Sequence, residues 1–497
     1  MFLDDWFPSR YKPRCACERS HLRSALRFSN IEATFATIHV ALTQGIFLGS
    51  FQGVVLTNYL IDLGSSNFIC GLIQALPYLT QFAFFLSPVL VRRMEGRRPV
   101  VIVFCLLNRL AWAVLIAYLF VPWSAATRQL LMVVTLLLSN VCAVIAGNAW
   151  LGWMADLVPT GLRGAFYGRR NVYLGLASLI ALFVGAQALS VGDRLGDRRL
   201  GYIFCFGVAS VAAVFSSWFL SYQYEPPMVS LPGPTRRRMW ADLMKNDPFT
   251  RYLRFIVGWQ FSLGLAEAYF TVHMVRVLKM SPAQMGVQAL LSALVFLVSV
   301  RAWGRVLDRL GSKAVLVTAG IVAALHVWVW LLARPDVLWP VWAAAVLAGF
   351  AWSGFNLANF NWPQLMTASG ERQYALGLLN TVSGLTFLAA SLLGGALTTV
   401  LPQTLFHVGR YEFVHFHLLF GLSAIGRLVA IVTLATRVPY ISAKAHRHTL
   451  AMFSHTLRLV IAGGQPRRRP SMVSLFVARL LRISGLKARK EIGQQSG

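Results

Sequence analysis

Apolar residues in this chain are collected into long runs separated by short polar segments. Each run is roughly 20 residues, the length at which an α-helix crosses a hydrocarbon core. The runs fall at 33–56, 67–90, 99–121, 129–152, 171–191, 201–222, 253–276, 283–303, 314–333, 339–360, 376–400 and 414–436. A backbone in lipid must satisfy its own hydrogen bonds, so the expected fold is all-α and integral to a membrane, with twelve transmembrane helices. The short connections make sequential helices antiparallel neighbours in a compact bundle.

Charge then orients the bundle. Of 497 residues 57% are apolar and only 13% charged, with mean hydropathy +0.60, too little charge to cover a soluble protein of this length. The net charge of +28 sits in loops and tails. Arg10, Lys12, Arg14, Arg19, Arg23 and Arg27 precede span one, and Arg92, Arg93, Arg97 and Arg98 follow span two. Arg163, Arg169 and Arg170 follow span four, Arg236, Arg237, Arg238 and Lys245 span six, and Arg305, Arg309 and Lys313 span eight. All lie on one side, so both termini are expected to be cytoplasmic. The loop with Arg194, Arg198 and Arg199 breaks the pattern, although it also carries Asp193 and Asp197. No basic region sits on a recognisable reading helix, which argues against nucleic acid as a partner.

These features divide the chain into a cytoplasmic tail (1–31), a first six-helix half (32–222), a linker (223–250) holding Pro226, Pro227, Pro232 and Pro234, a second half (251–437) and a basic tail (438–497). Within that tail, residues 471–490 set Val473, Phe476, Leu480 and Ile483 on one helical face. That suits a helix lying in an interface of anionic lipids; a solvated basic tail is the plainer alternative. Cys70, Cys105, Cys142 and Cys205 lie in apolar runs as small core residues, and the lone Cys15/Cys17 pair supplies too few ligands for a metal. The Arg-rich start lacks the apolar core of a cleavable signal, and the chain has no Asn-x-Ser/Thr acceptor, in keeping with a multi-pass protein of a bacterial inner membrane. A monomer without cofactor or metal is expected.

The two halves repeat. Trp153, Arg163, Gly168 and Asn171 are matched by Trp362, Arg372, Gly377 and Asn380, all at an offset of 209, and both sets join a half's fourth span to its fifth. Four matches at one offset in equivalent places point to duplication, and an even number of spans between copies makes the repeat parallel.

After span eight, Gly304-Arg305-Val306-Leu307-Asp308-Arg309-Leu310-Gly311-Ser312-Lys313 resembles the loop signature G-x-x-x-D-R-x-G-x-K/R of the major facilitator superfamily. The other place the family carries it, after span two, keeps Gly96, Arg97 and Arg98 but has Arg93 where the aspartate belongs. The element from Asp156 to Arg163 resembles the family's acid-x6-Arg run after span four, with Arg372 the repeat-mate of Arg163 and Leu365 standing where the acid repeats. The resemblance covers roughly residues 30–437 and implies alternating access of two halves about a site near the bilayer midplane, lined by spans one, four, seven and ten. It implies a cytoplasmic gate of Gly304, Asp308, Arg309, Gly311, Lys313, Asp156, Arg163 and Arg372, with Asp308 against the start of span five near Gly168, Arg169 and Arg170, where a helix dipole favours a carboxylate.

Polar side chains at membrane depth are costly and point inward. On the expected cavity helices they include His39, Gln44 and Gln52 among Gly45, Gly49 and Gly53, whose spacing suits close helix packing, together with Asn140, Asn148, Trp352, Asn356 and Asn359. Gln44, Asn148, Trp352, Asn356 and Asn359 are the candidate solute contacts, with interhelical hydrogen bonding the plainer role for each. Glu267 is the one acid placed well inside a span and the candidate proton-coupling group, with Arg109 or Arg427 as counter-charge and a structural ion pair as the alternative. His273, His326, His415 and His417 could titrate, but read first as packing residues. The residues support a secondary transporter of a small solute and leave open a passive facilitator or a transport-inactive sensor. No Walker loop, zinc-protease helix or nucleophile elbow is present to suggest an enzyme.

Overall fold

The computed structural model describes residues 16–47, 50–51, 53–158, 163–226, 244–366, 372–408 and 411–437. The start of the N-terminal tail, most of the linker and the basic C-terminal tail with its expected helix at 471–490 lie outside the described residues. The helices are α1 (Ala16–Thr43), α2 (Val54–Asp62), α3 (Asn67–Leu79), α4 (Ser87–Arg93), α5 (Arg97–Ala117), α6 (Ala125–Leu157), α7 (Arg163–Arg194), α8 (Arg199–Ser221), α9 (Asp247–Arg276), α10 (Pro282–Leu310), α11 (Ser312–Trp330), α12 (Trp339–Met366), α13 (Arg372–Val400) and α14 (His415–Arg437). Strands β1 (Ile46–Phe47) and β2 (Ser50–Phe51), and β3 (Thr404–Val408) and β4 (Tyr411–Val414), form two antiparallel hairpins.

Among the described residues ten helices are long and apolar enough to cross a membrane, against the twelve expected. The expected first and seventh spans fall in α1 and α9, which have 28 and 30 residues but a more polar composition. The reason is burial: α9 is covered along most of its length, from Phe249 to Met274, so protein rather than lipid surrounds its polar groups.

Span one differs in a second way. It is not continuous: α1 stops at Thr43, the β1–β2 hairpin sets Ile46 opposite Phe51, and α2 resumes at Val54. Gly45 (φ 68°) and Gly53 (φ 54°) hold left-handed backbone on either side, a conformation costly for residues with a Cβ. These two glycines therefore break the helix rather than let a neighbour pack against it. Span two bends at Pro77, which cannot donate to the helix ladder; the chain passes through a 3-10 turn (Thr80–Phe85) into α4.

The packing repeats. In the first half α1 packs on α8 and α7, α5 on α6 and α8, and α3 on α6; α9 on α14 and α13, α11 on α12 and α14, and α10 on α12 reproduce each pair in turn. The halves meet through α3 against α13 and α7 against α10, themselves repeat-mates. Their large cores are shared at one end, and a small cluster of Ala75, Leu263 and Phe387 continues the contact between them. At the end away from the basic loops, Tyr59, Trp112 and Phe206 belong to the same apolar cluster as Tyr269, Phe416 and Phe420. Toward the basic loops, a first-half cluster around Trp153 and Phe166 is separate from a second-half cluster around Trp259, Trp303 and Trp362.

The seam at the shared end is close and hydrogen-bonded. Ser391 Oγ donates across it to the Gly71 carbonyl at 3.1 Å and Gln74 Nε2 to the Ala268 carbonyl at 3.0 Å, while within the second half Tyr269 Oη holds the Ser391 carbonyl at 2.5 Å. Arg276 Nη1 donates to Asn67 Oδ1 at 2.7 Å and its Nη2 to the Ser65 carbonyl. Tyr78 stacks on Phe387 at 4.1 Å, and a Cβ on Gly384 would collide with the Tyr78 carbonyl. Gly384→Ala should wedge this seam and lower thermal stability of the detergent-purified protein by about 1–3 kcal/mol; an unchanged melting temperature would show that the seam is not tight.

Candidate transport site

Among the described residues each half holds one acid on its first helix paired with a buried arginine. In the first half Glu32 of α1 accepts from Arg109 Nη2 of α5 at 3.2 Å and from Ser216 Oγ of α8 at 2.9 Å, while Arg109 Nη1 donates to Ser217 Oγ at 3.2 Å. In the second half Glu267 of α9 accepts from Arg427 Nη2 of α14 at 3.3 Å; Arg427 also donates to Ser423 Oγ and to the Ala323 carbonyl of α11. The same three helices of each half are tied together, with the arginine on the third in one half and on the sixth in the other. Arg109 is therefore not the counter-charge of Glu267; Arg427 is.

Glu32 was not legible as a site residue, because it precedes the apolar run that begins at 33, whereas α1 starts at Ala16 and carries it mid-helix. The two pairs also differ in access. Both members of the first are about equally covered, whereas Arg427 is fully buried and the Glu267 side chain keeps 24% exposure.

A cavity lies beside each pair. The first, about 370 Å³, is lined by Glu32 and Thr37 of α1, Asn108 and Arg109 of α5, Trp150 of α6 and Arg170 of α7, among others. The second, about 60 Å³, is lined by Glu267 and Thr271 of α9, Gln288 and Ser292 of α10, His326 of α11 and Trp352 of α12, among others. Of the candidate solute contacts, Trp352 lies on this second cavity, edge-on to Trp259 at 6.3 Å. Asn148 Nδ2 donates to the Phe84 carbonyl at 3.0 Å, tying α6 to the bend of span two, and Asn359 Oδ1 accepts from Tyr252 Oη. Asn356 is half-buried on α12, and Gln44 sits at the turn that ends α1. The structure thus brings Glu267 and Trp352 together and leaves the amides dispersed.

The basic end carries the gate candidates. Asp156 accepts from Arg97 Nη1 at 2.6 Å; Arg97 also reaches the Gly152 carbonyl. Glu225 accepts from the backbone N–H groups of Arg97 and Arg98 at 2.7 and 3.1 Å, capping α5, and Trp153 Nε1 donates to the Tyr224 carbonyl. The degenerate loop after span two is therefore bound within its own half by Asp156 and Glu225. Asp308 is exposed at the end of α10 and makes no ion pair with a described residue; after it Gly311 (φ 82°) turns the chain into α11, where Lys313 is buried. Arg170, expected beside Asp308, is instead buried on the first cavity. The backbones of Gly304, Arg309, Arg163 and Arg372 are helical, and the side chains of the three arginines lie outside the described part.

At the other end the anomalous loop is explained by pairing. Arg198 binds Asp193 at 2.5 Å and Asp62 at 3.1 Å, and Tyr202 Oη donates to Asp62 at 2.5 Å, so this arginine is neutralised locally. His273 and His417 are buried among Phe416, Phe420 and Tyr411, as packing residues would be.

The Major Facilitator Superfamily model matches residues 35–364 and, in a second match, 255–484, together nearly the whole chain. The chain belongs to the major facilitator superfamily. No curated protein sequence matches it. Among solved structures, the D-xylose-proton symporter is similar with TM-score 0.67 at 13% identity, over 86% of this chain and all of that one. The nucleoside transporter NupG, in a mutant form, is similar with TM-score 0.62 at 10% identity, over 84% of this chain and all of that one. A bacterial homologue of the iron transporter ferroportin, in an inward-facing state, is similar with TM-score 0.59 at 15% identity, over 85% of this chain and 99% of that one. These likenesses show the fold that superfamily transporters share; the chain is a multi-pass membrane protein of that class.

The buried pairs make a stability prediction. Arg109→Met leaves Glu32 buried without its partner and should cost about 3–5 kcal/mol, whereas the double variant Glu32→Leu/Arg109→Met should recover much of the loss. A double-mutant cycle in detergent checks this; additive losses would mean the two side chains do not act as a pair.

Proposed function

We propose that the protein is a secondary transporter that moves a small solute by alternating access, held here in the form open at its basic, cytoplasmic end. One observation carries the reading: the two halves share an apolar core at one end and have separate cores at the other. Halves whose large cores join toward one end can rock, and a rocking pair exposes a midplane site to one side at a time. On this reading both termini are cytoplasmic, the spans number twelve with α1–α2 and α9 among them, and the membrane is the bacterial inner membrane. The protein acts as a monomer whose basic tails meet anionic lipids.

Glu267 is the coupling group on this reading. Its carboxylate reaches the second cavity while its partner is wholly enclosed, so a proton arriving through the cavity would neutralise the acid and release one of Arg427's three contacts. The gate closes when the basic ends approach and Asp308, which makes no ion pair with a described residue, meets the start of α7. In proteoliposomes holding a solute that thermal-shift screening has identified, Glu267→Gln should abolish proton-driven accumulation while leaving equilibration down a gradient. Full accumulation by that variant would reject Glu267 as the coupling site. Asp308→Asn should slow flux without changing membrane insertion, and unaltered flux would reject the latch.

A passive facilitator is the second reading. It is favoured by the way Arg427 ties α9, α11 and α14 together, as a purely structural pair would. The Glu267→Gln assay separates the two, because a facilitator never accumulates solute.

A further inference from the structure

We propose that the cargo carries an oxyanion, a carboxylate or phosphate, bound by Arg170 in the first-half cavity. The proposal rests on the transport reading and names the chemical class that the site accepts. The cavity is lined by one acid and two guanidinium groups, Glu32, Arg109 and Arg170. Glu32 is committed to Arg109 and Ser216, and Arg109 to Glu32 and Ser217. Glu32 also acts on Arg170 electrostatically, but one acid against two guanidinium groups leaves a net positive charge on the wall, and Arg170 makes no ion pair with a described residue.

Arg170 is only 7% exposed, and its Nε is buried with no hydrogen-bond partner among the described residues. Its guanidinium stacks 4.5 Å from the centre of the Trp150 ring, whose Nε1 is likewise a buried donor with no partner. A desolvated charge and unsatisfied donors are costly unless an acceptor arrives, and both groups ask for an acceptor. A planar guanidinium fixed by an aromatic face is preorganised for the two-oxygen edge of a carboxylate or phosphate. Val40, Val101 and Leu174 line the same cavity, and its 370 Å³ sits near the lower end of the size of small-molecule sites, so the anion has a compact, partly apolar body.

The test uses the full chain purified in detergent, with acetate, benzoate, succinate and inorganic phosphate as probes and acetamide, benzamide and succinamide as uncharged counterparts. At least one anion should raise the melting temperature of the wild type and bind by calorimetry, and the amides should not. Arg170→Gln should weaken that binding at least ~10-fold, and Arg170→Lys, which keeps the charge but not the fork, should fall between. If Arg170→Gln does not fold, the comparison of anion with amide on the wild type decides alone. Binding of no anion, equal binding of amides, or full affinity in Arg170→Gln would overturn the proposal. Transport of a neutral or cationic solute in proteoliposomes would also overturn it while leaving the transport reading intact. A protein that moves no solute of any charge would instead remove the transport reading.

Discussion

The close approach of α3 and α13 is the constraint on which the rest of this structure depends. Two helices whose backbones nearly touch, with Gly71 and Gly384 at the contact, hold the halves together, and Gly377 against Phe84 extends the contact toward the basic end. Lipid supplies no hydrophobic force between helices, so the seam relies on packing and on hydrogen bonds such as Ser391 to Gly71 and Gln74 to Ala268. Because α7 against α10 repeats the same contact, the seam has approximate twofold character, and a tilt of one half is matched by a tilt of the other. Toward the basic loops each half packs around a core of its own.

Low dielectric surroundings then decide how charge is used. A buried ion is costly unless paired and hydrogen-bonded, and Glu32–Arg109 and Glu267–Arg427 both meet that condition. They do different work. Both pairs border a cavity, but the first is about equally covered on both members and fastens α1 to α5 and α8, whereas the Glu267 carboxylate keeps 24% exposure beside a fully buried Arg427. The same logic reads the loop at Arg198, whose two aspartate partners cancel a basic residue on the wrong side of an otherwise consistent charge pattern. It also gives the degenerate loop after span two a role: with no aspartate of its own, it is fastened through Arg97 to Asp156 and Glu225.

Much of the fold was legible because lipid imposes a uniform demand. Any segment facing it must be apolar for the length of a helix, and the positions of the spans follow directly. What failed were features that depend on the interior. Gly45 and Gly53 have a spacing that suits helix packing as well as it suits a break, and only the backbone angles separate the two. The expected first and seventh spans fall in α1 and α9, which are too polar to stand among the ten membrane-capable helices, and α9 is covered by protein along most of its length. Pairing is a property of three dimensions, so Arg109 and Arg427 were equivalent partners for Glu267 until the helices were assembled. Glu32 fell outside an apolar run by one position, and Arg170 read as one more basic loop residue although it lines a cavity. The amides Asn148 and Asn359 satisfied the criterion of being polar at depth but turned out to hold neighbouring helices.

The claim that the halves rock about the shared seam can be tested by pulsed electron–electron resonance in nanodiscs, on a cysteine-free background. One spin-label pair would span the basic end, at Arg93 and Arg305, and a second the opposite end, at Leu195 and Lys279; all four positions are exposed. As pH is varied or a bound solute added, the account predicts two distances at each end that trade populations in opposite directions, long at the basic end whenever short at the other. A single fixed distance at the seam end while the basic end opens and closes would contradict alternating access and leave a protein gated at one side only.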